Sequence, residues 1–586
     1  MNILSNLNPR QKEAVMTTAG PLLILAGPGS GKTRVLTHRI AYLIQCGINP
    51  ENILAVTFTN KAADEMRERV IKLLEKEVKM PFIGTFHAFC LRILRKEIKN
   101  LGYKTNFIIY DETDQLSLVK KVIKGLEIDS EQFKPAILAA KISSLKNELI
   151  DWRSFKESAE NYFEETIAKI YQAYQKYLKK INAVDFEDLI MLTVKLFNEF
   201  PEILTKYQEK FRYILVDEWQ DTNTGQYVLM GLLAKKYKNI CVVGDDAQSI
   251  YQFRGADFRN ILNFERDYPE AKVVILDQNY RSTQNILDTA HKVIAKNIYQ
   301  KEKKLWTENP EGEPIVIAET LDETAEAEFI IQEIKELQKR GLGLNDFIIL
   351  YRTNAQSRAL EEAMIRHNLP YKIIGTIKFY HRKEIKDILA YLRLILHPND
   401  LISLERIKKI ASPPKISLKN RAPHEILELI LKKTKYKTYL EKKYDKEWEV
   451  RWQNVLELFT VIKQYDDLDA FLETTALLSE GDEIETKKDV INLMTLHAAK
   501  GLEFPIVFIT GCEEGIFPHS RSLLEPMRLE EERRLCYVGI TRAKERLYLT
   551  FTLKRTLYGL TQVNPPSRFL SDIPENLIEF KKYEPR

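Results

Sequence analysis

Two stretches of the chain carry side chains at a spacing that chemistry can use: AGPGSGKT at Ala26–Thr33 and VDEWQD at Val216–Asp221. In the first, the apolar run LLILA leads into a G-x-x-x-x-G-K-T-like loop, with Ala26 in the first place, and then into an amphipathic segment. Backbone N–H groups of Gly29, Ser30 and Gly31, with Gly27 in the same turn, would cradle phosphates at a helix N-terminus. Lys32 would reach the β and γ oxygens, and Thr33 would hold Mg²⁺. In the second, an apolar run ends in Asp217 and Glu218, at the carboxyl end of a strand, where α/β sheets bind ligands. Asp217 is read as a Mg²⁺ ligand, directly or through water, and Glu218 as the general base on the attacking water. The alternative is that the two acids cap a neighbouring helix.

A third stretch, VVGDDAQSIYQFRGAD at Val242–Asp257, combines acids and Gln248 with Tyr251, Phe253 and Arg254. The acids and the glutamine suit nucleotide hydrolysis; the aromatics do not, so a second ligand is expected beside the first. Arg281 in QNYRST and Arg542 in VGITRAKERL are candidates for the charge that stabilises a transferring phosphoryl, a role worth roughly a thousandfold or more in rate.

The elements that must position these groups are legible as apolar runs bounded by turn residues. LLILAG, ILAVTFT, FRYILVDEW, NICVVGD and AKVVILDQNY alternate with amphipathic stretches such as NKAADEMRERVIKLL, the pattern of a parallel α/β sheet. EPIVIAE, DFIILYRT, DVINLMTLHAAKG, FPIVFITG and ERLYLTFT form a second series, without a second G-K-T. Each series is interrupted by sequence that reads as helical without strands. The predicted fold is α/β, with two parallel-sheet domains, each carrying a mainly helical insertion. The first domain takes 1–100 and 200–277 with an insertion at 101–199; the second takes 278–394 and 488–586 with an insertion at 395–487. Charge runs such as KKTKYKTYLEKKYDKEWE are read as solvated helix faces.

Composition bounds the class. At 586 residues the chain is too long for one core, and 44% hydrophobic with 29% charged residues describes a globular protein. Five scattered cysteines, never in C-x-x-C spacing, indicate neither a disulfide framework nor a zinc site. The N-terminus has no signal-peptide pattern, and no apolar run approaches the roughly 18 residues needed to span a bilayer. These features lead to the expectation of a cytoplasmic protein without a membrane partner. A net charge of +5 fits nucleic-acid binding without arguing for it.

In order along the chain stand LNPRQKEAV, AGPGSGKT, TFTNKAADEM, GTFHAF, DFEDL, VDEWQDTN, VGDDAQSIYQFRGAD, QNYRST, YRTNAQSR, MTLHAAKGLEF and YVGITRAK. This series resembles the UvrD/Rep/PcrA-type superfamily 1 DNA helicases from Asn8 to PPSRFLSDIP. The resemblance implies two RecA-like domains, ATP and Mg²⁺ as cofactors, and 3′-to-5′ movement on single-stranded DNA with separation of duplex junctions, in repair or replication. It implies that Gln248 senses the γ-phosphate and its water while Tyr251, Phe253 and Arg254 meet single-stranded DNA, where stacking is worth about 1–3 kcal/mol per base. It also implies Gln11 at the adenine edge, Arg34 and Tyr280 about the base, Glu503 at the ribose, and Arg281 and Arg542 on the phosphates.

Phe58, Asn60, Thr85, His87, Phe186, Arg352, Asn354 and His497 fall in motifs that line the family's DNA groove or couple it to ATP. For Phe58 and Phe186 core packing is the other reading. TLKRTLYGLTQVNPPSRF resembles the strand-splitting hairpin, with Tyr558 at its tip. Trp219 stands where the family has Tyr or Phe, and Phe253 where Trp is common; tuned grip is expected from both. The second insertion reads SPPKISLKN where the family has a glycine-bearing turn against duplex, and is short, so weak duplex contact is expected. Neither a nuclease domain nor a docking tail is expected beyond PPSRFLSDIP. Two other readings are a translocase that strips proteins from single strands with weak unwinding, and a binding scaffold with a decayed ATPase. All six groups of the hydrolytic set, Lys32, Asp217, Glu218, Gln248, Arg281 and Arg542, stand in their motifs, which disfavours the scaffold.

Overall fold

The computed structural model describes residues 3–584 except 75–78, 131, 253–254, 299, 302, 354–355, 375–381, 418–420, 445–447, 449–450, 453–454, 456–457, 460–461, 464, 479–488 and 558–559. The first series folds as β1 (Leu22–Ala26), β2 (Ile53–Thr57) and β3 (Phe82–Thr85). After the first insertion, which holds β4 (Ile108–Tyr110) and β5 (Ala183–Asp185), it resumes with β6 (Tyr213–Val216), β7 (Ile240–Gly244) and β8 (Lys272–Leu276). Its strands pair in the order β3-β2-β6-β7-β1-β8, all parallel.

Successive residues of β1 enter different cores. Leu23 and Leu25 pack with Phe89, Phe197 and Trp219 on one face, and Leu22, Ile24 and Ala26 pack with Val35, Leu36 and Ile40 on the other. Burial of both faces explains why these strands read as continuous apolar runs and not as alternations.

The linking segment contributes the short parallel pair β9 (Gln278–Asn279) and β10 (Trp306–Thr307). The second series supplies β11 (Ile315–Thr320), β12 (Phe347–Tyr351), β13 (Tyr371–Ile374), β14 (Ile491–Thr495), β15 (Phe504–Ile509) and β16 (Ala543–Thr552). The hairpin strands β17 (Arg555–Leu557) and β18 (Leu560–Gln562) follow, and β19 (Ile578–Tyr583) ends the series. The second sheet runs β13-β14-β12-β15-β16-β11-β19, again wholly parallel. Ile348 and Leu350 of β12 face one core, and Phe347, Ile349 and Tyr351 the other.

The first insertion is helical as expected over Glu112–Gly125, Pro135–Asn147 and Tyr162–Lys180, but it is not free of strands: β4 and β5 pair in parallel. Each is three residues long, too short for a period to be read from sequence. The second insertion shares one core with the helix Lys383–Leu396 that leads into it, and its own helices include Pro423–Thr434 and Leu468–Leu478. That leading helix and the start of the insertion dock on the first insertion through buried polar groups. Tyr110 donates to Asp400 Oδ1 at 2.6 Å, Arg393 pairs with Asp114, and Lys386 pairs with Asp111 at 3.2 Å. Among the described residues no helix is long and apolar enough to cross a membrane.

Candidate nucleotide site and its DNA-facing flank

The loop after β1 ends in the helix Lys32–Gln45. Gly29 and Gly31 take left-handed φ of +68° and +86°, and side chains there would collide. A Cβ on Gly29 would meet Asn279 Nδ2 at 2.6 Å, and one on Gly31 would meet Gln11 Nε2 at 2.9 Å. Glycine is required twice, by conformation and by space. Ser30 Oγ donates to Gly27 O at 2.7 Å, which tightens the turn, and Lys32 Nζ lies 3.5 Å from Ala26 O. Thr33 follows in the first helical turn, half-buried.

Gln11 is buried and pinned: Oε1 accepts the Asn8 N–H at 3.1 Å in a capping box, and Nε2 donates to Ser30 O at 3.0 Å. A primary amide offers two donors and two lone pairs, so one of each remains for a base edge. Tyr280, 47% exposed, donates to Gln278 Oε1 at 2.8 Å and accepts from Asn8 Nδ2 at 2.8 Å; Arg34 is exposed on the first turn of the P-loop helix. The groups assigned to the base therefore flank one mouth.

Asp217 follows β6 and is 4% exposed, and its Oδ1 accepts the Glu218 N–H at 3.0 Å. Burial, reinforced by the charge of Glu218, pushes its carboxyl up to about 7, against the pull of Lys32. Burial also works to raise Glu218, but Lys32 and Lys500 outweigh it and the carboxyl sits below its ordinary value. The two acids are thus pushed apart in protonation tendency: buried Asp217 is the less stable as an anion and would gain from a nearby cation, whereas the lysines keep Glu218 ionised. Glu218 takes φ +50°, a left-handed conformation uncommon for a residue with a side chain, immediately beyond the strand. Neither side chain is a helix cap; the following helix Thr224–Ala234 is capped by Asn223. Thr33 and Asp217 offer hard oxygen donors of the kind Mg²⁺ takes alongside phosphate and water.

The loop after β7 joins the two halves. Gln248 Nε2 donates to Asp245 Oδ2 at 2.7 Å, and Asp245 N donates to Gln220 Oε1 at 2.9 Å. Within the same loop the chain enters the other core: Ala247 and Ile250 pack in the cluster of the second sheet with Tyr537 and Leu496, and Tyr251 packs against it. Tyr251 donates to His497 O at 3.3 Å.

Both arginines reach the same cleft. Arg281 donates to Glu503 Oε2 at 2.7 Å and to Thr541 O at 3.1 Å. Asn279 sets its backbone: Nδ2 donates to Pro28 O at 2.7 Å while Oδ1 accepts the Arg281 N–H at 2.7 Å. Arg542 is 1% exposed and donates to Val538 O at 2.9 Å and Leu502 O at 3.0 Å. Burial first, and then the neighbouring Arg281, lower it to about 9, which leaves it cationic at neutral pH. Glu503 holds Arg281 and Lys544, the latter at 2.9 Å, at the position read as the ribose contact.

On the DNA-facing flank, the Phe58 ring lies 5.5 Å from Phe86 against the first core, and Phe186 is buried with its edge on His87 at 5.4 Å. Phe186 packs within the first core, whereas Phe58 is half-buried, with one side of its ring against that core. Thr85 is the N-cap of the helix Phe86–Glu97, accepting the Ala88 N–H at 3.2 Å, and Asn60 opens the helix Asn60–Leu74. Arg352 is held by Glu532, at 2.6 Å from Nη2. Phe253, Arg254, Asn354 and Tyr558 lie outside the described residues. Trp219 corrects the expectation of tuned grip: it is 2% exposed, packs with Tyr227 and Phe264, and donates from Nε1 to Asn260 O at 3.1 Å.

Sequence reasoning missed two lysines. Lys500 donates to Gln248 O at 2.6 Å and pairs with Asp221, though it sits inside the quoted MTLHAAKGLEF. Lys303, in KEKKLWT, pairs with Asp245 and Asp246, and nothing in that charged run marks it.

A glycine loop on a helix N-terminus, paired acids on the neighbouring strand and two arginines at one cleft define a P-loop nucleoside triphosphatase built on two parallel sheets. Residues 7–269 match the UvrD/REP helicase N-terminal domain, and residues 274–437 and 419–554 match the UvrD-like helicase C-terminal domain. The chain belongs to the UvrD/REP helicase family. It is 47% identical to the ATP-dependent DNA helicase PcrA of Bacillus subtilis, over 98% of this chain and 87% of that protein. It is 46% identical to PcrA of Staphylococcus aureus over the same shares. With PcrA of Leuconostoc citreum it shares 45%, over 98% of this chain and 86% of the relative.

Proposed function

We propose that the chain is an ATP-dependent DNA helicase that moves 3′ to 5′ on single-stranded DNA and separates duplex at junctions, in DNA repair or replication in the cytoplasm. The observation that carries the reading is the loop Asp245–Tyr251, whose Gln248 hangs from Asp245 beside the carboxylates while Ala247 and Ile250 belong to the second sheet's core. A change at the γ-phosphate is thereby felt by the second sheet, and DNA affinity that differs between the two states turns that into net movement.

In this reading Gly27, Gly29, Ser30, Gly31 and Lys32 hold the phosphates, Gln11, Arg34 and Tyr280 hold the base, and Glu503 leaves Arg281 for the ribose. Glu218 takes a proton from the water that Gln248 orients, and Arg281 and Arg542 neutralise the transferring phosphoryl. Thr33 and Asp217 would hold Mg²⁺, which would supply charge neutralisation to the phosphates. Asn60, Thr85, His87, Tyr251, Arg352 and His497 line or couple the DNA groove, with Phe253, Arg254, Asn354 and Tyr558 assigned by resemblance alone. The division into 1–100 with 200–277, 101–199, 278–394 with 488–586, and 395–487 is part of the same proposal.

The test is ATP hydrolysis with and without single-stranded DNA, run beside unwinding of 3′-tailed and 5′-tailed duplexes. Strong stimulation with separation of only the 3′-tailed substrate is the expected result. Separation of the 5′-tailed duplex alone overturns the direction, and absence of DNA stimulation overturns the coupling.

A further inference from the structure

Lys303 lies on neither sheet. It belongs to the link between β9 and β10, and its ammonium is 6% exposed between two carboxylates of the loop after β7, Asp245 (Oδ1 at 2.5 Å) and Asp246. The same link is fixed at three further points. The Lys301 N–H donates to Asp246 Oδ2 at 2.7 Å, the Trp306 N–H donates to Asp277 O at 3.1 Å, and Leu305 covers Gly27 so closely that a Cβ there would sit 2.5 Å from its methyl. One short strap thus touches both the phosphate loop and the loop that carries Gln248.

We propose that Lys303 is a positioning residue for ATP hydrolysis, acting through Asp245 on Gln248; this rests on the reading that Gln248 orients the attacking water. With Oδ1 held by Lys303 and by the Ala247 N–H at 3.2 Å, the carboxylate turns Oδ2 toward Gln248 Nε2, 2.7 Å away. Donating that N–H fixes which way the amide faces: the oxygen is the free end and accepts a hydrogen from water, the polarity that leaves the water's lone pair for phosphorus. Without the lysine, two adjacent buried acids, Asp245 at 0% and Asp246 at 1% exposure, repel each other, and the Gln248 anchor loses its orientation. Burial works to discharge Lys303, but the two carboxylates more than offset this, so its pKa is raised and the tie persists through neutral pH.

The test is a double-mutant cycle of Lys303→Met and Gln248→Ala, read as DNA-stimulated kcat and KM for ATP, with thermal melting as the fold check. Misplacing a reacting group by about 1 Å costs on the order of 100-fold. Lys303→Met is therefore expected to lower kcat by about 10- to 100-fold with KM within about twofold, Lys303→Arg to recover most of it, and the double variant to be no slower than Gln248→Ala. Losses that multiply in the double variant, or a kcat within twofold of wild type in Lys303→Met, overturn the proposal. If Lys303→Met does not fold, pairing Lys303→Met with Asp245→Asn keeps the net charge of the wild-type cluster. Persistent loss of kcat in that pair supports the anchor, and recovery to wild type overturns it. Unchanged hydrolysis in Gln248→Ala alone would instead sink the role given to the glutamine.

Discussion

Lys500, in the loop after β14 of the second sheet, donates to the backbone carbonyl of Gln248 in the first at 2.6 Å. The same ammonium pairs with Asp221 and lies 5.1 Å from the centre of the Tyr251 ring. One cation from the second half therefore touches the residues placed at the γ-phosphate and the aromatic placed at DNA.

That tie predicts uncoupling in Lys500→Ala. Basal ATP hydrolysis should change less than stimulated hydrolysis, with stimulation by single-stranded DNA falling about tenfold, the order of a coupling energy between two sites. Titration of the ATPase with oligonucleotide reads it directly; equal loss of basal and stimulated rates would show Lys500 to be part of the hydrolytic set instead.

Lys32→Ala should abolish hydrolysis while leaving single-stranded DNA binding intact, because Lys32 faces the phosphate loop and not the His87 flank. Fluorescence anisotropy of a labelled oligonucleotide supplies the second half of the measurement, and joint loss would mean the two sites are not separate.

Glu218→Gln keeps shape and hydrogen bonding but removes the base, so kcat should fall by about 100- to 10,000-fold with KM for ATP nearly unchanged. A rise in KM without loss of kcat would transfer the role to binding.

Asp217 carries a pH signature. Its folded value, about 7, lies above the ordinary carboxyl value of about 3.9, so protonation favours the fold. The contribution is fully present below about pH 4 and is lost as pH rises through 7. In nucleotide-free protein, Asp217→Asn should therefore gain melting temperature relative to wild type between pH 5.5 and 8. A constant difference across that window would show that the carboxyl titrates normally.

Arg393 is mostly buried against Asp114, whose carboxyl burial raises to about 6 despite the arginine. Arg393→Met strands that acid where the helix Lys383–Leu396 meets the first insertion, and a broken buried pair costs about 3–5 kcal/mol. Hydrogen exchange should quicken in the helices Glu112–Gly125 and Lys383–Leu396 while the sheets stay protected.

The phosphate loop, the paired acids, ten of the sheet strands and three helices of the first insertion are legible from residues alone, since each rests on local pattern: glycine spacing, apolar runs or a helical period. Not legible there are β3, β13 and β19, which lie at sheet edges and are not uniformly buried, or the three-residue strands β4 and β5. The motif order marked Arg281, Arg542 and Glu503, but only tertiary structure decided that Glu503 holds Arg281, that Trp219 is core, and that Lys303 and Lys500 converge on the loop of Gln248. Local pattern fixes which face of an element is apolar. Which distant charge a buried carboxylate finds depends on how the sheets and their connections pack, and residues 245 and 303, or 221 and 500, carry no shared period that would announce it.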